Sequence, residues 1–292
     1  MAEYRLAAPL AGSSFAQSGD EQRKVNVMRP ISCLVSMLVL MPSLALAQTI
    51  SKPTRRPNPV VDRLLKAEKG ETADVQALVA GADPNARDTA QRTALMWSII
   101  LNQRSAFDRL LAANADLSAV DDEKFTAIHY AAESAMKFDT SALVEALLAK
   151  GADAGGGTSS GSGMTPLMLA ANANAAGVAR ALLARIDPKT IDGSTSDGMT
   201  ALIAAASVGA RDVAYLLLEK GASIDRYDLQ GRTPLIHAAS KQFPGTTETV
   251  KLLLEMGANP SARDKDGHTP LSEAQQRGSA DVIELLKKAG AQ

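Results

Sequence analysis

Residues 228–239 read Asp-Leu-Gln-Gly-Arg-Thr-Pro-Leu-Ile-His-Ala-Ala, and the centre of this stretch recurs along the chain. Thr followed two residues later by Leu or Ile occurs six times, with spacings of 33, 39, 35, 33 and 36 residues, at Thr93, Thr126, Thr165, Thr200, Thr233 and Thr269. Each Thr is followed by consecutive Leu residues, and most of these Leu runs are followed by Gly-Ala or Asn-Ala. Such a regular pattern predicts a protein made of stacked supersecondary repeats.

Each repeat is predicted to form two short helices. Its Thr begins the first helix, because a Thr hydroxyl can accept a hydrogen bond from an amide of the first turn. Pro166, Pro234 and Pro270 follow three of these Thr residues, at a position where the helix needs no N–H. The Leu residues give the second helix an apolar face, and the Gly after it permits the left-handed conformation that ends a helix. Neither helix can bury its apolar face alone, so the repeats must stack into an all-α solenoid.

The recurring stretch resembles the opening of the ankyrin repeat, D-x-x-G-x-T-P-L-H-x-A-A. The stretches 228–239 and 266–271 carry this resemblance most closely, and it extends over residues 59–292. It implies an ankyrin-type solenoid of about seven helix–turn–helix units with short hairpin fingers between them. The first pair, predicted at 59–69 and 72–80, lacks the Thr-Pro-Leu opening and resembles an amino-terminal cap. The last repeat has polar residues at 272–275, as expected of a carboxy-terminal cap.

Three departures from the repeat pattern predict local differences in structure. Repeats two and five are longer than repeat four, which predicts lengthened turns at 134–141 and 241–249. Repeat three has Ile-Asp-Pro at 186–188 where the others have Gly. The Gly- and Ser-rich run at 155–163 replaces an ordinary finger, and its composition predicts a mobile loop.

The amino terminus predicts export. Residues 28–47 have a basic start, an apolar run, a break at Pro42 and an Ala-Leu-Ala ending, the order found in secretory signal peptides. Cleavage after Ala47 would leave a linker at 48–58 and the repeat domain, without the single Cys33, in the periplasm or secreted. The alternative is an uncleaved membrane anchor, although 31–46 has only 16 residues and a span needs about 20. Residues 1–27 fit neither segment, so we hypothesise that they are a mis-annotated extension and that translation starts at Met28.

The charge balance argues against nucleic acid as a partner. The chain has 31 Lys and Arg residues against 32 Asp and Glu residues, a net charge of -1. Proteins that follow a phosphate backbone usually concentrate a basic excess on one face.

Catalytic and metal-binding groups must converge, and the sequence disperses them. His129, His237 and His268 lie in different repeats, so we predict that they share neither a metal nor a substrate. The Gly-rich run lacks the Gly-Lys-Ser/Thr ending of a phosphate-binding loop. The stretch 264–267 begins like a calcium loop, but no Glu closes it at the twelfth position. We therefore predict no enzyme, no cofactor, no metal and no small-molecule substrate.

Two aromatic residues occupy the same repeat position. Trp97 and Tyr130 each lie four residues after their Thr. This recurrence favours packing in the core over a ligand-binding role.

The ankyrin resemblance implies a binding surface formed by the fingers and the first helices, on the concave face of the solenoid. Carried over position by position, the implied contact residues are Asp121, Asp122, Lys124, Phe125, Asp197, Met199, Tyr227, Leu229, Arg232, Arg263, Lys265 and Asp266. A mixture of aromatic, Met and Arg residues among acids is typical of protein interfaces. The predicted function is a non-catalytic protein-interaction module of the cell envelope. The alternatives are a membrane-tethered scaffold and, with less support, an enzyme.

Overall fold

The structure is a computed structural model, and it describes residues 83–156 and 163–291. These residues form twelve α-helices in six consecutive pairs and one short 3₁₀ helix, and their only β-type pairing is an isolated bridge between Arg87 and Thr93. The predicted all-α fold is therefore confirmed. The helices are α1 (Ala94–Ile100), α2 (Arg104–Ala112), α3 (Ala127–Ser134), α4 (Ser141–Ala149), α5 (Pro166–Asn172), α6 (Ala176–Leu183), α7 (Ala201–Val208), α8 (Arg211–Glu219), α9 (Pro234–Ala239), α10 (Thr246–Glu255), α11 (Pro270–Arg277) and α12 (Ala280–Lys288).

Several predicted segments lie outside the described residues. These are the amino-terminal extension at 1–27, the signal segment at 28–47, the linker at 48–58, the capping pair at 59–80 and most of the Gly-rich run. We number the six described pairs as repeats I to VI, and we call the segment before each capping Thr the finger of that repeat. Fingers I, II, IV, V and VI are residues 83–92, 116–125, 192–199, 223–232 and 259–268.

The repeated Thr begins the first helix of every described pair, as predicted. In five repeats its hydroxyl accepts a hydrogen bond from the backbone N–H three residues later, as in Thr200 to Ile203 at 3.2 Å and Thr269 to Ser272 at 3.1 Å. In repeat II the Thr126 hydroxyl instead lies 2.9 Å from Nδ1 of His129, which also accepts the Thr126 N–H at 3.2 Å. His129 thus makes a local hydrogen bond within its own repeat.

The pairs stack in two rows of helices. The first helices pack in the order α1, α3, α5, α7, α9, α11, and the second helices from α4 onward pack in the order α4, α6, α8, α10, α12. The Leu residues of the second helices form a continuous buried ridge between the rows, at Leu110, Leu147, Leu182, Leu217, Leu253 and Leu286. Fully buried Ala pairs on the first helices, such as Ala131 with Ala132, permit close approach between repeats.

Both predicted turns are lengthened: 135–140, between α3 and α4, and 240–245, between α9 and α10, have six residues each, against two or three in the other described repeats. The predicted bounds of the second turn extend too far, because residues 246–249 belong to α10. Gly245 ends this turn with a φ of +85°, and the Thr249 hydroxyl donates to its carbonyl at 2.9 Å. In repeat III, Pro188–Thr190 form the 3₁₀ helix in place of the usual Gly turn, and the Asp187 carboxylate accepts from the Lys189 N–H.

Backbone hydrogen bonds join the tips of neighbouring fingers. The N–H of Leu229 donates to the carbonyl of Asp197 at 2.8 Å, and the N–H of Lys265 donates to the carbonyl of Gln230 at 2.9 Å. Gly198 permits the first of these contacts, because a Cβ at this position would lie 2.9 Å from Cα of Asp228. Fingers IV, V and VI therefore form one connected edge. Among the described helices, none has the length and hydropathy needed to cross a bilayer.

Candidate protein-binding surface

The predicted contact residues lie in the fingers, and most of their side chains are exposed. The exposed members of the set are Asp122, Lys124, Asp197, Tyr227, Leu229, Arg263, Lys265 and Asp266. The half-buried or buried members are Phe125, Met199, Arg232 and Asp121. Tyr227 and Leu229 are 67% and 56% exposed, more than any other large hydrophobic side chain of the described residues. The structure therefore divides the predicted set into an outward group and an inward group.

Asp121 does not contribute its side chain to the exposed surface, which corrects the prediction for this residue. Its carboxylate is buried and accepts hydrogen bonds from the Phe125 N–H at 2.8 Å and from the Tyr130 hydroxyl. The Phe125 ring stacks on His129, with 5.0 Å between ring centroids. Both residues hold finger II against α3, so their role in this finger is structural.

Arg232 is also engaged within its own finger. Its guanidinium lies 2.9 Å from the carboxylate of Asp228, a side chain that is only 3% exposed. The same carboxylate accepts the backbone N–H of Gln230 and of Arg232. Removing the charge of Arg232 would therefore disturb finger V itself, so this residue is a poor reporter of partner binding.

A hydrogen bond between residues nine positions apart recurs in three repeats. The finger Asp meets the polar end of a side chain on the following helix: Asp88 with Trp97 Nε1 at 2.9 Å, Asp121 with the Tyr130 hydroxyl at 2.5 Å, and Asp228 with His237 Nε2 at 2.8 Å. Trp97 is buried and Tyr130 is half-buried against the core. The predicted packing role of these two aromatic residues is therefore confirmed, and each ring also anchors a finger.

Burial and hydrogen bonding determine the charge states of these groups. Burial lowers the pKa of His237, more than the nearby Asp228 raises it. Burial opposes ionisation of Asp228, but hydrogen bonds from His237 and from the Arg232 N–H outweigh it and hold the pKa of this carboxyl well below its usual range. Burial, together with the hydrogen bond to Asp121, raises the pKa of Tyr130. Finger V is therefore closed by a neutral imidazole that donates its Nε2 proton to an ionised carboxylate.

A serine extends this chain of hydrogen bonds. The Ser207 hydroxyl lies 3.3 Å from Nδ1 of His237, so the structure brings together Ser207, His237 and Asp228, which the sequence analysis did not connect. A nucleophilic serine must pass its proton to the base. The Ser207 hydroxyl instead lies 2.8 Å from the carbonyl of Ile203, a better acceptor than the more distant imidazole. We interpret the three residues as a structural link between repeats IV and V.

Finger VI brings three potential metal ligands near one another. Asp264, Asp266 and His268 each place one ligand atom within 4.8 Å of the others. Oδ1 of Asp264 already accepts the backbone N–H groups of Asp266 at 3.0 Å and of His268 at 2.8 Å. These hydrogen bonds close the turn in the same way as in finger V, and they account for the position of Asp264 without a metal.

The comparisons with known proteins agree with this architecture. The model of the ankyrin repeat family, which contains three copies of the repeat, matches residues 64–154, 133–228 and 225–292. The chain belongs to the ankyrin repeat family. Ankyrin repeats are protein-interaction modules, and they are typically non-catalytic. A search of curated protein sequences gives no match.

Among solved structures, this ankyrin repeat chain is similar to the crystal structure of the ankyrin repeat domain of Bcl-3, described as a unique member of the IkappaB protein family. The sequence identity is 28% and the TM-score is 0.57, over 73% of this chain and 88% of the Bcl-3 chain. The likeness thus covers most of both chains and supports the repeat assignment along the stack.

The ankyrin repeat pattern alone does not identify the residues that close the fingers. Asp228 and His237 are nine positions apart, the same spacing as Asp88 with Trp97, and this shared spacing was the available signal. His237 lies four residues after its Thr, as Trp97 and Tyr130 do, so the three residues share one repeat position. Recognising this shared position would have predicted a buried, hydrogen-bonded His237.

Proposed function

We propose that this ankyrin repeat protein is a non-catalytic module that binds a partner protein through its fingers and first helices, the concave face of the solenoid. The observation that carries the proposal is the exposure of Tyr227 and Leu229 on a finger that is held rigid from within. Asp228, between them, points inward and fixes the turn through His237 and Arg232. An exposed aromatic side chain on a turn with a fixed backbone is a favourable anchor, because the backbone needs little further ordering on binding.

A photo-crosslinking experiment tests which side of the stack meets the partner. A photoreactive phenylalanine analogue is placed at Tyr227 in one variant and at Tyr215 in the other. Tyr215 is a matched control, because it is a partly exposed tyrosine on the second-helix row, in α8. We expect a protein adduct from position 227 and none from position 215 after irradiation in cells. Adducts from position 215 alone would contradict binding through the fingers.

We further propose that the protein acts in the cell envelope after export. The segment at 28–47 supports this proposal through its basic start, apolar run and Ala-Leu-Ala ending. Cleavage after Ala47 would place residues 48–292 in the periplasm or outside the cell. Amino-terminal sequencing of the protein recovered from cells should then begin at Gln48. A sequence that begins at Met1 or Met28 would favour the membrane-tethered alternative, in which the apolar segment is retained.

A further inference from the structure

The exposed apolar side chains of finger V have exposed cations at neighbouring positions in fingers V and VI, whereas the exposed Asp197 lies on the side of finger IV. Arg226 is exposed beside Tyr227, and Arg263 and Lys265 are exposed on finger VI. We call these three residues with Tyr227 and Leu229 the basic finger patch. The backbone N–H of Lys265 donates to the carbonyl of Gln230, the residue after Leu229, so the cation of finger VI and the apolar tip of finger V lie at neighbouring positions.

Most acids of these two fingers are already engaged or turned inward. The side chains of Asp228 and Asp264 are 3% and 5% exposed. The Asp225 carboxylate accepts the backbone N–H of Asn259 at 3.1 Å. Asp266 is the one exposed carboxylate of fingers V and VI. Fingers V and VI therefore expose three cations against one carboxylate, although the whole chain has a net charge of only -1.

The cations of the basic finger patch lack internal counter-charges. Within residues 83–156 and 163–291, none of the three forms an ion pair with a carboxylate, whereas Arg92, Arg104, Arg211 and Arg232 all do. Arg263 donates a hydrogen bond to the carbonyl of Gly267. Arg226 and Lys265 make no side-chain hydrogen bond among the described residues, so an approaching carboxylate would not have to displace an existing partner.

Finger II shows that this surface is not a general property of the repeat. It exposes Asp116, Asp122 and Glu123 against one exposed cation, Lys124. Its aromatic residue, Phe125, is half-buried and stacked on His129, so it offers no exposed anchor comparable to Tyr227. Finger II therefore exposes more acids than cations, whereas fingers V and VI together expose more cations than acids, and of these three fingers only finger V also has exposed large apolar side chains.

We infer that the basic finger patch binds an acidic segment of the partner protein, one in which Asp or Glu residues flank a bulky apolar side chain. This inference rests on the proposed function and specifies its ligand. The apolar side chain packs against Tyr227 and Leu229, and the carboxylates approach Arg226, Arg263 and Lys265. Complementary charges at the rim speed association and exclude basic competitors, while the desolvated anchor supplies more of the affinity.

Selection from a random dodecapeptide display library tests this inference on the full chain. The parallel bait is a triple variant, Tyr227→Ala, Arg226→Glu and Lys265→Glu, and only peptides enriched on the parent over this variant are kept. We expect those peptides to carry a net negative charge and at least one Phe, Leu, Ile, Met or Trp residue. Enriched peptides that are neutral or basic, or no enrichment over the triple variant, would overturn the inference.

Fluorescence anisotropy with a synthetic selected peptide then measures the separate contributions. Tyr227→Ala should weaken binding by about 30-fold or more, because truncating an anchor costs more than removing a rim charge. The pair Arg226→Glu with Lys265→Glu should weaken it by about 10-fold, with a reduced dependence on salt. The pair Lys251→Glu with Lys287→Glu changes the net charge equally, but on exposed positions of the second helices, and should have little effect. An equal loss from both pairs would mean that total charge, not this patch, attracts the peptide.

A last variant separates this inference from the proposed function. Asp122→Lys with Glu123→Lys reverses the charge of finger II and should leave binding of the acidic peptide intact. If the selected peptides are basic and lose affinity in this variant, the fingers still bind protein and the assignment to the basic finger patch is wrong. If no finger variant alters the binding of any selected peptide, and position 227 yields no crosslink, the proposed function fails as well.

Discussion

Repeats IV and V lie inside the stack, whereas repeat VI ends it, and equivalent positions have different surroundings in the two places. In α7 every side chain from Ala201 to Ala206 is buried, while α11 buries only Pro270, Leu271 and Ala274. In finger V Asp228 is paired with His237 and Arg232. The corresponding Asp264 of finger VI instead lies near His268, which is also close to the carboxylate of Glu273.

This difference shows that neighbouring repeats, more than the repeat motif, determine what each position tolerates. A position that neighbouring repeats cover on both sides must hold an apolar side chain or a polar one with all its hydrogen bonds made, because a buried polar group without a partner is costly. A position covered on one side can retain polar residues, as Glu273 and Gln275 do in the terminal repeat. Equivalent substitutions in the interior and terminal repeats should therefore have unequal effects.

The largest inequality is expected on the Leu ridge. Leu217 and Leu286 are both completely buried, but α8 packs against second helices on both sides while α12 packs against α10 alone in its row. Leu217→Ala should lower the free energy of unfolding by about 3–5 kcal/mol, and Leu286→Ala by about 2 kcal/mol, because the terminal repeat can relax into the cavity more easily. Urea denaturation of the two variants measures both values. Equal losses would show that packing against a second neighbouring helix does not increase the cost of the cavity at Leu217.

A smaller inequality is expected at the glycines that end the first helices. Gly209 and Gly278 have nearly the same φ, +71° and +72°, so Ala at either position incurs the strain of the left-handed conformation, about 1–2 kcal/mol. At Gly209 a Cβ would also lie 2.7 Å from the carbonyl of Pro244 in repeat V, whereas at Gly278 it would meet nothing within 4 Å.

We therefore expect Gly209→Ala to cost about 2–3 kcal/mol and Gly278→Ala about 1 kcal/mol, because only the first adds overpacking to backbone strain. Thermal and urea unfolding, with the parent measured in parallel, give the difference. If Gly278→Ala loses as much stability as Gly209→Ala, the whole loss comes from strain in the left-handed backbone conformation, and contact with the next repeat adds nothing.

The sequence predicts the local elements well, because each depends on nearby residues. The six capping Thr residues and the buried Leu ridge follow from chemistry within one helical turn. The added length of repeat V predicts a long turn, which forms at 240–245, but the predicted bounds of 241–249 extend too far, because Thr246 to Thr249 belong to α10. The positions of Thr residues alone do not show where an extended turn ends.

The exposure of finger side chains is harder to predict from the sequence, because it depends on closure of the turn. Asp121 and Tyr227 are both finger residues in the sequence. The Asp121 carboxylate points inward to Tyr130, whereas the Tyr227 side chain points outward. In fingers I, II and V the finger Asp turns inward to a partner nine residues later on the next helix, a spacing that matches neither helix nor strand periodicity. The proximity of Ser207 to His237 cannot be predicted from spacings within one repeat, because the two residues belong to different repeats.

The smallest expected effect is a pH dependence of stability that comes from the buried histidines of repeats II and V. Burial lowers the pKa of both His237 and His129 in the folded protein, so each is more readily protonated when the chain is unfolded. Asp228, Arg232 and Lys241 are the charged groups that act on His237, and their combined effect does not reverse the shift. Stability from these neutral histidines should therefore be fully present above about pH 6.5 and decline as the pH falls below this value.

Urea denaturation between about pH 7.5 and 5.5 measures this decline, which cannot exceed about 1.4 kcal/mol per pH unit for each histidine. His237→Gln should lower stability at pH 7.5, because the hydrogen bond to Asp228 is altered, and should also flatten the dependence on pH. The parent is measured in parallel over the same pH range. If His237→Gln keeps the slope of the parent, the buried imidazole of repeat V does not control the response to acid.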